Sequence, residues 1–387
     1  MHAEVEVNRK AQERVDAGHP WIFSSDVLAR HDAAPGSVVR VVGPHGRLLG
    51  TAHYSSASQI TLRMLSPRAE TVDAAFFRDR LERAAAYRQK VVRDTTAYRL
   101  VHGEGDLLPA LVVDRYAGYF VIQTLDQGMD AAKGQIVDAL DALFSPSGVV
   151  ERNDVPVRAR ENLPLINSVL RGQVPEEVEF ETNGLRLGAR LLSGQKTGVF
   201  LDQRENYLAA RRFAHGPALD CFTSTGGFAL HLARVCTSVE AVDSSGEALE
   251  MARQNARRNQ LANIEFQQTD VFDLLSGYAS ARRKFSTVVL DPPAFAKSRS
   301  HVPQAIRGYK DINLRALRLL DRDGVLVTCS CSHHLSEADL LRLVAEAALD
   351  AGRQVRVLER RTQALDHPIL LTVPETHYLK CLVVQVV

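Results

Sequence analysis

Two stretches carry residue types that could do chemistry together, LDPPAFAKS (290–298) and TCSCS (328–332). Each follows an apolar run, STVVL before the first and GVLV before the second, so each should sit where a buried strand ends. Adjacent strand ends in an open parallel sheet form the crevice where ligands bind. Asp291, on a stiff Pro292-Pro293 turn, would then share one pocket with a thiol. That pairing suits methylation of a ring carbon in a nucleic-acid base. Carbon 5 of cytosine has too little electron density to displace a methyl group from a sulfonium unaided. A thiolate adding at carbon 6 creates an enamine, whose carbon 5 can attack; a base then removes the carbon 5 proton and the thiolate leaves. The chemistry also needs a carboxyl group at the nitrogen edge of the base, and Asp291 suits that task.

Two cysteines compete for the nucleophile's role. Cys329 and Cys331 are two apart, so on a strand both face one side. Cys331 lies further beyond the apolar run and nearer the crevice mouth, which makes it the better nucleophile; Cys329 reads as core. Cys221, Cys236 and Cys381 have core-type neighbours and should be buried. A metal site at Cys329, Cys331, His333 and His334 is disfavoured, since no other Cys/His cluster completes a four-ligand shell.

The elements that must position these residues alternate from about Val178 onward. PALDCF, SVEAVD, IEFQQTD, STVVLDPP and GVLVTCSCS read as strands. Helices are expected to about Val235, to about Asn259, over 309–320 and over 337–351. QVRVLER and YLKCLVVQVV close the chain as strands. This is the signature of a parallel sheet with crossover helices. Upstream, short alternating runs (EVEVN, SVVRVV, RLLGTAHY, QITLRML) with a helix over 10–17 predict a small β-rich barrel. SPRAET (66–71) reads as a linker. A helix over 73–93, a strand over 98–102, a hairpin turning at Tyr116-Ala117-Gly118, a helix over 130–143 and a strand over 148–152 then make an α+β unit. The expected domains are 1–68, 69–177 and 178–387.

Acids end four successive strands of the last domain: Asp220, Asp243, Asp270 and Asp291. Between the first and the next helix runs DCFTSTGGF (220–228), whose glycines let a backbone approach a ligand closely. The dinucleotide fingerprint is absent, because Ser224 stands where its first glycine would fall. The arrangement resembles the class I S-adenosylmethionine methyltransferase layout. That resemblance implies that the loop, with Phe222, Thr225 and Gly226, approaches the amino-acid part of S-adenosylmethionine. It likewise gives Asp243 and Ser244 to the ribose, and Asp270 and Val271 to the adenine. Each acid alone could be an ordinary helix cap.

Hydrophobic residues at 45% and charged residues at 24% are ordinary globular values. No apolar run reaches membrane-span length and the N-terminus lacks an apolar signal segment, so a cytoplasmic protein without a membrane partner is expected. Five scattered cysteines argue for free thiols. The net charge of +1 gives no global sign of a nucleic-acid partner. Locally, however, the segment 292–310 holds no acid but carries Lys297, Arg299, Arg307 and Lys310. A cationic loop beside a pocket could hold RNA phosphates; a merely solvated loop is the plainer alternative. Pro292, Pro293, Phe295, Lys297 and Arg299 are therefore the expected substrate-binding residues. The sole tryptophan, Trp21, reads as core packing in the first domain.

The chain resembles the bacterial ribosomal large-subunit cytosine-5 methyltransferases of the RlmI type over nearly its whole length. The matching pieces are GHPWIFS (18–24), LPALVVDRY (108–116), ERND (151–154), TGVFLDQREN (197–206), DCFTSTGGF (220–228), DPPAF (291–295), SCS (330–332), DHP (366–368) and PETHYLK (374–380). The resemblance implies an N-terminal PUA domain that binds RNA, a central α+β domain and a Rossmann-like methyltransferase domain. It implies large-subunit ribosomal RNA as partner and the catalytic cysteine at Cys331. It also implies that Asp202, Gln203 and Arg204 border the cofactor, although Arg204 could equally be a surface residue after a helix cap. Ala294 departs from the better-known RNA cytosine-5 methyltransferases, which carry there a second cysteine that assists release; here another base or water must serve. A purine ring-nitrogen or exocyclic-amine methyltransferase is the alternative, since an Asp-Pro-Pro-aromatic turn suits exocyclic amines, but that chemistry needs no cysteine. A non-catalytic RNA-binding assembly factor is a third reading. The sequence leaves a homodimer open.

Overall fold

A computed structural model describes residues 3–194, 197–295 and 301–387. The chain divides into two compact units. The first comprises 1–181, 189–199 and 365–376; the second comprises 182–188, 200–364 and 377–387.

The first unit opens with β1 (Glu4–Val7), α1 (Arg9–Asp16), β2 (Trp21–Phe23), β3 (Val27–Ala29), β4 (Val38–Val42), β5 (Leu48–Tyr54) and β6 (Ile60–Ser66). They form a barrel-like six-stranded sheet in the order β2-β6-β5-β4-β1-β3. Asn8 caps α1 by accepting from the Ala11 amide at 2.9 Å, which sets where the expected helix begins. Val5, Val7, Ala11, Ile22, Val39, Val41 and Leu62 make the core beneath this sheet. Trp21 departs from expectation: it is half-buried, and its indole Nε1 donates to Glu104 Oε1 at 2.8 Å. An indole N–H needs an acceptor, and the interior of a β-barrel supplies none. Ile22 takes the core position instead.

There follow α2 (Ala74–Val91), β7 (Ala97–His102), β8 (Leu111–Tyr116), β9 (Tyr119–Thr124), α3 (Gln127–Ala131), α4 (Lys133–Phe144), β10 (Gly148–Arg152) and β11 (Asn167–Gly172). Their sheet runs β11-β10-β9-β8-β7. The expected hairpin turns at Ala117, which adopts φ 52°. The single helix expected over 130–143 is two, because Asp126 starts a separate short helix by accepting from the Met129 amide at 2.6 Å. The edge strand β11 escaped the sequence reading; its alternation is weak, with Val169 exposed. A two-stranded hairpin, β12 (Val178–Thr182) with β13 (Leu185–Ala189), turns at Asn183-Gly184, both at positive φ.

The second unit contains α5 (Arg204–Phe213), β14 (Pro217–Cys221), α6 (Gly227–Leu232), β15 (Ser238–Asp243), α7 (Gly246–Arg258), β16 (Ile264–Gln268) and α8 (Val271–Ser280). It continues with β17 (Phe285–Leu290), α9 (Val302–Leu319), β18 (Leu320–Ser330), α10 (Glu337–Asp350), β19 (Val355–Arg361) and β20 (Lys380–Val386). The sheet order is β16-β15-β14-β17-β18-β20-β19. β14, β15, β16, β17 and β18 are parallel, whereas β20 runs antiparallel to β18 and β19. Apolar side chains cover both faces, as a doubly wound sheet requires. Leu219, Val288 and Leu326 pack with α9 and α10 on one face. Ala218, Val289, Val327 and Cys329 pack with Tyr207 and Phe228 on the other. The order reverses between β14 and β17, and the crevice lies at such a switch point.

One helix begins earlier than expected: α9 starts at Val302, not near 309, with Pro303 in its first turn where a missing N–H costs nothing. Arg307 and Lys310 therefore ride on a helix. Lys310 pairs with Asp350 at 2.9 Å and Glu346 at 3.5 Å, so it belongs to an α9–α10 ion-pair cluster rather than a phosphate-holding loop.

Candidate active site

β14 delivers Asp220 into the interior at its last turn, where it is fully buried. Its Oδ2 accepts from Thr223 Oγ1 at 2.5 Å and from the Ala229 amide at 2.8 Å. Oδ1 has no partner among the described residues. Burial, reinforced by the charges of Asp291 and Asp243, pushes this carboxyl up to about 7, against the pull of the Thr223 and Ala229 bonds. After it the chain turns sharply: Phe222, Ser224 and Gly226 all take positive φ, at 65°, 50° and 90°. Gly227 could not be larger, because a Cβ there would stand 2.4 Å from the Tyr207 ring. Thr225 fixes the far side of the loop, its carbonyl accepting from Asn255 Nδ2 at 3.3 Å.

Asp243 ends β15 and holds that loop. Its Oδ2 accepts from the Ser224 amide and its Oδ1 from the Ser245 amide, both at 2.9 Å. Each oxygen keeps a second lone pair for a ligand hydroxyl. Ser244 beside it is exposed, and its carbonyl accepts from Gln268 Nε2 at 3.1 Å. Asp270 caps α8, Oδ1 accepting from the Phe272 and Asp273 amides at 2.8 and 3.2 Å. It is exposed, while Val271 next to it is buried. The helix-cap role thus exists for Asp270, and it leaves the outer carboxylate edge toward solvent.

Asp291 stands directly after β17, half-buried. Gln203 Nε2 donates to its Oδ1 at 2.9 Å, and Gln203 Oε1 accepts from Asn206 Nδ2 at 2.7 Å. The LDQR stretch therefore meets the Asp-Pro-Pro turn through one amide. Asp202 is buried and accepts from the Tyr378 hydroxyl at 2.7 Å. Arg204 is buried as well and lies 3.5 Å from Glu205, so the surface alternative for Arg204 is wrong. Helix α5 presents it inward, where its carbonyl accepts from Asn183 Nδ2. On the turn itself Pro292 is buried, Pro293 exposed and Phe295 half-buried. Phe295 stacks obliquely on Tyr309 at 4.6 Å between centroids and lies 6.0 Å from Phe272. Lys297 and Arg299 lie outside the described residues.

β18 runs parallel to β17 with Leu290 opposite Thr328, which carries the SCS stretch past the Asp291 end. Cys329 is fully buried opposite Cys381 in the register, and burial pushes its thiol far up. Cys221 and Cys236 are buried too; Cys331, one residue past the strand, is the one partly exposed cysteine. Its two neighbours are clamped. Ser330 Oγ donates to the Tyr309 hydroxyl at 3.0 Å, and Ser332 Oγ lies 3.2 Å from the same oxygen. Lys380, buried at the start of β20, donates from Nζ to the Ser332 carbonyl at 2.6 Å and to the Tyr378 carbonyl at 2.7 Å. Neither Tyr309 nor Lys380 figured among the expected site residues. PETHYLK ends on that lysine just before an apolar run, and a charge entering a buried strand was the available signal.

Both ends of the chain match known families. A PUA-like domain model matches residues 5–67, and a methyltransferase domain model matches residues 213–367. Among solved structures, a SAM-dependent methyltransferase from Streptococcus mutans superposes with a TM-score of 0.84 over 99% of this chain and 100% of that one, at 20% identity, which speaks for the fold. Ribosomal RNA large subunit methyltransferase I of Klebsiella pneumoniae (strain 342) is 41% identical over 371 residues, 94% of this chain and 93% of that protein. Its counterpart in Escherichia coli O157:H7 is 39% identical over 94% of both chains. A likeness of this extent, joined to a sheet with acids and a half-exposed thiol at its strand ends, leaves one conclusion: this chain belongs to the ribosomal RNA large subunit methyltransferase I family.

Proposed function

We propose that this protein methylates carbon 5 of a cytosine in large-subunit ribosomal RNA, with S-adenosylmethionine as methyl donor and a covalent adduct to Cys331. The observation that carries the reading is the contrast among five cysteines: four are buried, and the partly exposed one follows the strand beside Asp291. The donor, when bound, supplies an electrophilic methyl group on sulfur. The residues at the strand ends suit it: Asp243 has acceptor capacity for both ribose hydroxyls, and the buried Oδ1 of Asp220 has no partner among the described residues. The Phe222–Gly226 loop would approach the amino-acid part, and Asp270 with Val271 the adenine.

In this reading the target cytosine leaves any stack and lies between the Asp291 turn and Cys331. The Cys331 thiolate forms a bond to carbon 6 while the Asp291 carboxyl, in its protonated form, gives its proton to the ring nitrogen where negative charge accumulates, and takes it back on elimination. Carbon 5 becomes enamine-like and bonds the methyl group, whose bond to the sulfonium would break to leave a neutral thioether. Loss of the carbon 5 proton to a base then drives the electron pair back onto sulfur. Lys297 and Arg299 would guide the RNA phosphates, and the N-terminal PUA-like domain would add RNA contacts.

RNA carrying 5-fluorocytosine at the target tests the mechanism, because no proton can leave carbon 5. The native protein should form a covalent adduct mapped to Cys331; Cys331→Ala should form none and should lose methyl transfer while keeping cofactor affinity. Cys329→Ala should retain turnover. Full methylation by Cys331→Ala would end the covalent mechanism in favour of nitrogen methylation. Absence of cofactor binding would favour an RNA-binding factor.

A further inference from the structure

We propose that Lys380 is the positioning residue whose ammonium favours ionisation of the Cys331 thiol and holds the resulting thiolate as an ion pair, the proposal resting on the nucleophilic role of Cys331.

A lysine is almost never fully buried without a reason, because its charge loses water. Lys380 is 3% exposed, opens a strand whose next residues are the core-type Cys381, Leu382 and Val383, and pairs in register with Ser330. Among the described residues no carboxylate accepts from its amine. The two acceptors are backbone carbonyls, Ser332 O at 2.6 Å and Tyr378 O at 2.7 Å. The first belongs to the residue directly after Cys331, so the amine is tied to the segment that presents the thiol. An ammonium has three N–H donors, and carbonyls occupy two. Neutral carbonyls leave the charge without a counter-ion, and a thiolate would supply it.

The electrostatics agree. Burial lowers the Lys380 amine to about 8, and the one charge that opposes this is that of Cys331. Tyr309, from α9, also feels Cys331, and its hydroxyl is raised by burial and held by Ser330 and Ser332. Ionisable side chains at this corner also include Tyr378, His333, whose ring lies 5.7 Å from that of Tyr378, and Asp202, which accepts from the Tyr378 hydroxyl. Asp291 stands at the neighbouring strand end and is bonded to Gln203.

The step balances. The thiol proton leaves to solvent, and the thiolate stays beside the ammonium. The sulfur lone pair forms the bond to carbon 6 and returns to sulfur on elimination. The ammonium keeps its proton and remains the charge partner throughout. A lowered thiol pKa beside a cation is the general route to a reactive cysteine.

The test is the rate of Cys331 alkylation by iodoacetamide against pH, read by peptide mass spectrometry so that the four buried cysteines do not interfere. In the native protein the midpoint should fall at least about one pH unit below the ordinary thiol value of roughly 8.5. A native midpoint at or above that value overturns the proposal, whether or not any variant folds. Lys380→Met should raise the midpoint by about a unit, slowing alkylation at neutral pH about tenfold, and should shift methyl transfer toward alkaline pH. A merely structural lysine would lower activity at every pH and leave the midpoint in place, which also overturns it. The 5-fluorocytosine adduct separates the two readings. A low midpoint without an adduct in native protein rejects the covalent mechanism and keeps the ion pair; an adduct with an unshifted midpoint in Lys380→Met does the reverse.

Discussion

Gln203 Nε2 donates to Asp291 Oδ1 at 2.9 Å, joining the segment before α5 to the Asp-Pro-Pro turn after β17. Gln203 is buried, and its own carbonyl is fixed by Asn206, so the amide cannot flip without losing both bonds. The fold itself thereby orients Asp291. Gln203→Ala should lower kcat/KM for RNA methylation about tenfold to a hundredfold, the value of roughly 1.5–3 kcal/mol for a hydrogen bond to a charged group. Steady-state kinetics on a variant with an unchanged melting curve would check this. An undiminished rate would show that Asp291 needs no such support.

Asp243 does double duty, bracing the loop through Ser224 and Ser245 while offering two lone pairs outward. Asp243→Ala should weaken S-adenosylmethionine binding about tenfold to a hundredfold by calorimetry, since charge-assisted hydrogen bonds carry on the order of 1.5–3 kcal/mol. Equal affinity in the variant would remove Asp243 from the cofactor site.

The raised carboxyl of Asp220 gives a pH signature of the fold. Its folded value of about 7 lies above the ordinary aspartate value of 3.8, so the folded state binds the proton more tightly than the unfolded chain does. The associated stability is fully present below the unfolded value and is lost as pH rises through about 7. Denaturant titrations of native protein and Asp220→Asn across this window should differ by a few kcal/mol in their pH dependence, the native protein losing more on going from acid to neutral pH. Parallel curves would mean that folding leaves the proton affinity of the Asp220 carboxyl unshifted.

Reversing Lys297 and Arg299 to Glu should weaken RNA binding and flatten its salt dependence while leaving cofactor affinity alone. Loss of two phosphate contacts on a single strand should reduce the slope of log affinity against log salt by about 1.4. Filter binding at several salt concentrations would measure it, and an unchanged slope would favour a solvated segment.

Local patterning settled much about this protein. The alternation of apolar strands with helical periods was enough to expect the parallel sheet, because burial on both faces forces continuous apolar runs such as STVVL and GVLV. Asp220, Asp243 and Asp291 end or directly follow strands in the structure, and Asp270 caps the helix after the third. The contrast between Cys329 and Cys331 was also legible, since one lies inside an apolar strand and the other past its end. What escaped depends on partners distant in sequence. Lys310 looked like part of a cationic loop until α10 supplied Asp350 and Glu346. Trp21 looked like core until Glu104 accepted its indole N–H. The bond from Gln203 to Asp291 spans 88 positions, and the tie from Lys380 to Ser332 spans 48. A side chain's charge and hydrogen-bonding groups are written in the sequence, but whether burial leaves them paired is decided only when the sheet brings distant strand ends together.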